Sequence, residues 1–117
     1  MIRTAFAALL LATAATPAFA QAAAVEGNWG CRANIDGTKS GILTIYAGSY
    51  GYASANFQSA ESGSGNVTMY SDGVQFVDGN LVLGAGVQVG VLSFDANGRD
   101  ILTLSTAEKP ILTCTPR

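Results

Sequence analysis

Cys31 and Cys114 are the two cysteines of this 117-residue chain, the first in its N-terminal third and the second fourth from the end. A thiol can act as a nucleophile, a metal ligand or half of a disulfide. The chain contains no histidine, so neither a cysteine–histidine pair nor a Ser-His-Asp arrangement can be assembled. Soft-metal sites usually gather four Cys or His ligands, and two cysteines fall short. A single Cys31–Cys114 disulfide is the economical reading, provided the chain is exported to an oxidising compartment.

Carboxylates are the next candidates, since a pair of them could cleave a glycoside. Most of the aspartates stand in turn-forming sequences such as Asp36-Gly37, Asp72-Gly73 and Asp78-Gly79. There the side chain is accounted for by hydrogen bonds to its own backbone. Asp95-Ala96-Asn97-Gly98-Arg99-Asp100 resembles the first half of a calcium loop, but the completing glutamate is missing at its distance and an arginine sits at the centre. That stretch reads as a hairpin turn. No Ser-x-x-Lys motif is present. The expectation is a protein without enzymatic activity, cofactor or metal.

Tyr46, Tyr50 and Tyr52 lie within seven positions among Gly, Ser and Ala, a composition that gives rigid contact surfaces at low entropic cost. The competing reading has them covering the wall of a sheet. Asn66-Val67-Thr68 matches a glycosylation sequon, which matters only in a eukaryotic secretory route.

These residues need a compartment and a scaffold. Residues 1–20 read as a secretory signal, with Arg3 before an apolar run and Ala18-Phe19-Ala20 as the cleavage site. Gln21 rather than a cysteine follows, so no lipid anchor is expected, and the apolar run is short for a membrane span. Without residues 1–20, five cations face eight carboxylates, for a net charge of −3. No basic run offers a footprint for nucleic acid. A periplasmic or extracellular, monomeric protein is expected.

Residues 21–26 carry no strand or turn signal and read as a short mobile arm. Residues 27–117 then form one domain. Strands are expected at 28–35, 42–46, 50–57, 67–70, 74–77, 81–83, 87–94, 101–105 and 111–115, with turns at Asp36-Gly37, 71–73, 78–80, 95–98 and 108–110. On the second strand Leu43 and Ile45 share one face, with Ile42, Thr44 and Tyr46 on the other. Gly84, Gly86 and Gly90 fall in or beside strands, where they read as bends of a coiled sheet. About eight short strands with tight turns make an all-β fold, either a small antiparallel up-and-down barrel or a β-sandwich. The cysteines favour the barrel, because closure makes the first and last strands neighbours.

Gly27-Asn28-Trp29 at the start of the first strand resembles the Gly-x-Trp signature of the lipocalin and avidin superfamily. That resemblance implies a ligand-binding barrel in which Trp29 closes one end and an arginine, Arg117 or Arg32, packs across it. The length is closer to bacterial metalloprotease inhibitors, small barrels similar to lipocalins. Their extended N-terminus, which residues 21–26 would match, enters the protease cleft. Their disulfide closes a short loop, unlike one joining Cys31 to Cys114. Trp29, Tyr46, Tyr50, Tyr52 and Arg117 are the candidate binding residues, for a protein partner or a small ligand. A structural or envelope-associated role without a discrete site is the alternative.

Overall fold

The computed structural model describes residues 24–55 and 62–117. The expected signal, residues 21–23 of the expected arm and part of the expected loop at 58–66 lie outside the described residues. Eight antiparallel strands follow one another around a closed barrel: β1 (Gly27–Ala33), β2 (Lys39–Tyr46), β3 (Ser49–Ser54), β4 (Gly63–Tyr70), β5 (Gly73–Phe76), β6 (Val89–Phe94), β7 (Asp100–Ser105) and β8 (Pro110–Pro116). Each strand pairs with the next, and β1 pairs with β8. This is the up-and-down barrel, not the sandwich. Among the described residues no helix is long and apolar enough to cross a membrane.

Period-two alternation decides what is inside. Trp29 and Cys31 on β1, Leu43 and Ile45 on β2, Tyr50 and Tyr52 on β3, Val67 on β4, Val74 and Phe76 on β5, Leu102 and Leu104 on β7, and Leu112 and Cys114 on β8 all point inward and are buried. An eight-stranded barrel is just wide enough for such side chains to fill it. The interior is a packed core.

Cys31 and Cys114 are direct partners in the β1–β8 register, with a Cα–Cα distance of 4.0 Å, and their sulfurs are bonded. The disulfide therefore lies inside the barrel, along the seam that closes it.

Residues 81–83, expected as a strand, belong instead to a short helix, α1 (Asn80–Ala85). Gly86 ends it in the left-handed conformation, φ 74°, which glycine adopts without a Cβ penalty. Gly86 is thus a helix cap rather than a bend in a sheet, and Gly84 lies within the helix. Gly90 does sit in β6, facing inward, where an added Cβ would meet Leu104, Val74 and Leu102 side chains at 3.0 to 3.3 Å. On the neighbouring strand Gly73 brings its backbone against the Gly90 carbonyl, so closely that a Cβ there would collide with the oxygen. The missing side chains let β5 and β6 approach where only three residues of each strand pair.

Candidate functional site

The expected contact residues do not share a surface. Tyr46 is 71% exposed on the outer wall, whereas Tyr50 and Tyr52 are each 3% exposed. Register explains the split: Tyr50 lies opposite Ile45 and Tyr52 opposite Leu43, both inward-facing. The Tyr50 ring meets Phe76 edge-on, with centroids 5.1 Å apart and an interplanar angle of 81°. Its hydroxyl donates to the Asp78 carbonyl at 2.9 Å and accepts from the Leu81 N–H at 3.1 Å. Burial pushes the Tyr50 phenol above its ordinary pKa. The Tyr52 hydroxyl is hydrogen-bonded to Ser40. A partner on the outer wall cannot reach either ring, so a contact surface built on Tyr50 and Tyr52 is corrected to core packing.

Trp29 is 2% exposed, and its indole N–H donates to the Val25 carbonyl at 3.1 Å. Val25 itself is fully buried, and Glu26 accepts a hydrogen bond from the Ala47 N–H at 2.8 Å. Residues 25 and 26 are therefore docked onto the barrel rather than free. The arginine expected across Trp29 lies elsewhere. Trp29 and Cys31 point inward, so Gly30 and Arg32 face outward. A Cβ on Gly30 would be 4.0 Å from Arg117 Cδ. Arg117 and Arg32 consequently occupy the side of β1 opposite the indole.

Those two arginines belong to an open groove of about 460 Å³ on the outer wall of β8, β1, β2 and β3. Its floor is a row set by pairing: Thr115 opposite Gly30, Gly30 opposite Ile42, and Ile42 opposite Ala53. The absent side chain at Gly30 and the methyl of Ala53 keep this row low. Arg32 and Lys39 stand opposite each other across β1 and β2 at one side of the row. At the other side the Arg117 N–H donates to the Asn28 carbonyl at 2.9 Å, which fixes the residue against β1. Among the described residues no Asp or Glu side chain lines the groove.

The sequence pointed to Arg117 as a candidate binding residue and to Arg32 as a partner for Trp29, but not to Lys39, Ile42 or Ala53 as members of a site. A signal was present: Arg32 and Lys39 flank the Asp36-Gly37 hairpin turn, and barrel closure brings the end of β8 beside β1. Among the described residues no three His, Cys, Asp or Glu side chains gather as a metal site. No protein-family model matches the chain, nor does any curated protein or solved structure.

Proposed function

We propose that this chain is an exported, non-enzymatic binding protein that meets a protein partner on the outer wall of its barrel. The contact surface in this reading is the groove over Gly30, Arg32, Lys39, Ile42, Ala53 and Arg117. The observation that carries it is the filled interior, which moves the best-formed concavity among those described to the outside. Export is supported by the leader-like residues 1–20 and by the disulfide, a bond that persists in oxidising compartments. Kinship with lipocalin-like barrels is part of the proposal. It is supported by Gly27-x-Trp29 on the first strand of a closed eight-stranded barrel, although the arginine position departs from that pattern. A protease-plugging arm fits less well, because Val25 and Glu26, the last two residues of the expected arm, are docked onto the barrel.

Gly30→Phe tests the groove without changing charge. A Cβ at Gly30 has no neighbour nearer than 4.0 Å, so the fold should tolerate the ring, which would fill the floor. Wild type should capture a specific partner from the native exported fraction, and Gly30→Phe should lose it while keeping the wild-type denaturation midpoint. Equal retention by both proteins, or no specific partner for either, would reject the reading.

A further inference from the structure

We infer that the groove binds extended acidic peptide segments, with carboxylates seated between Arg32 and Lys39 and at Arg117; this rests on the outer-wall reading above.

The first support is where the positive charge has gone. Of the five cations outside residues 1–20, Arg32, Lys39 and Arg117 line this one groove. Of the remaining two, Arg99 is paired with Asp95 at 3.3 Å, and Lys109 stands in the turn before β8. A chain with an excess of carboxylates thus gathers three of its cations in one concavity that no Asp or Glu side chain of the described residues enters.

The second support is a local electrostatic conflict. Arg32 and Lys39 are direct cross-strand partners, and like charges placed opposite each other destabilise a sheet. Neither has an ion-pair partner among the described residues. Asp36, in the hairpin between them, accepts through Oδ1 from the Thr38 N–H at 3.1 Å and hydroxyl at 2.8 Å and makes no ion pair with either cation. Arg32 uses one guanidinium N–H on the Gly37 carbonyl at 2.9 Å. Its remaining donors can still take a carboxylate. An incoming carboxylate would therefore relieve repulsion that the fold itself leaves standing.

The shape selects a peptide among anions. The Arg117 backbone is held opposite Asn28, but its side chain reaches back over Gly30, two residues along β1 from Arg32, about 7 Å at the rise of a strand. An extended segment spans that distance with acidic residues two positions apart, on one face. The low floor of Thr115, Gly30, Ile42 and Ala53 suits aliphatic stems and extended backbone. Among the described residues no aromatic ring lines the groove to act as the stacking platform on which single-stranded nucleic acid is held. Its concavity also disfavours a flat anionic bilayer.

The test is fluorescence anisotropy of the full exported chain with a labelled dodecapeptide of alternating Glu and Ser. Binding is expected at low salt and should weaken at about 0.5 M salt, where the Debye length is about 4 Å. An exposed ion pair contributes up to about fivefold. Arg32→Gln/Lys39→Gln together should therefore bind about tenfold more weakly and Arg117→Gln severalfold more weakly, while Lys109→Gln should match wild type. Removing one of the opposed cations should not lower the denaturation midpoint. The same peptide with Gln in place of Glu should not bind. Wild-type affinity in Arg32→Gln/Lys39→Gln would overturn the inference. Competition by inorganic phosphate as effective as by the peptide, or preferential co-sedimentation with phosphatidylglycerol vesicles, would overturn it too. If wild type ignores the acidic peptide but Gly30→Phe still loses a captured partner, only the acidic chemistry fails. If both results are negative, the outer-wall reading falls with it.

Discussion

Tyr50 does two jobs with one side chain. Its ring fills the barrel against Phe76, and its hydroxyl satisfies the Asp78 carbonyl and the Leu81 N–H at the start of α1. Gly79 precedes that helix and offers no side-chain cap, so the tyrosine supplies from across the barrel what an N-cap residue normally supplies locally. Tyr50→Phe keeps the ring and strands both backbone groups, an expected loss of about 1–3 kcal/mol in chemical denaturation. The pH dependence has a definite sign. Burial raises the phenol pKa above 10.0, so the folded state favours the neutral form. That contribution is complete below the ordinary tyrosine value and is lost as pH rises through the raised folded value. The alkaline decline of the wild-type midpoint should therefore be shallower in Tyr50→Phe. Identical alkaline profiles would show that Tyr50 does not couple protonation to folding.

Hairpins organise the strands, and that of β6 and β7 is closed by a single carboxylate. Asp95 accepts from the Asn97 N–H at 2.8 Å and the Arg99 N–H at 2.9 Å, with Gly98 supplying φ 79°. These bonds, the one from Arg99 foremost, hold the Asp95 carboxyl below its ordinary pKa of 3.8. A depressed folded pKa stabilises above the unfolded value and is lost as pH falls through the folded one. Asp95→Ala should accordingly lower the denaturation midpoint at neutral pH, and the difference from wild type should shrink in acid. A difference that persists unchanged in acid would argue against this role. Turns of this kind were legible in the sequence because their determinants are local: Asp36-Gly37 and Asp95 to Gly98 carry both the side-chain acceptor and the glycine. The inward pair Leu43 and Ile45 was legible for the same reason, since strand alternation needs no distant partner. Helix α1 was not. Its six residues are too few for a helical period, its cap comes from Tyr50, 31 positions away, and Leu-Val-Leu reads as a strand. The groove escaped notice because its residues come from four strands, and only the register of β1 with both β2 and β8 makes them neighbours.

At the scale of the whole molecule, the barrel is meander everywhere except at one seam. Seven of its eight pairings join consecutive strands, while β1 with β8 joins the two ends, and Cys31–Cys114 spans a sequence separation of 83 across it. In the chain-entropy account such a crosslink contributes about 4.5 kcal/mol by restricting the unfolded state. Cys31→Ala/Cys114→Ala should lower the denaturation midpoint; a midpoint unchanged from wild type would show the seam to be held by strand pairing alone. The same seam also governs time. A reduced chain must close an 83-residue loop before its first and last strands gain anything from pairing, an entropic cost of about 4 kcal/mol, and distant pairings of this kind slow folding. A chain oxidised while still unfolded begins with that loop closed. Stopped-flow refolding should then be faster for the oxidised chain, with the unfolding arm nearly unchanged. Bond formation ahead of folding would act as a shortcut to the barrel, whereas the same bond made afterwards would only lock a door already shut.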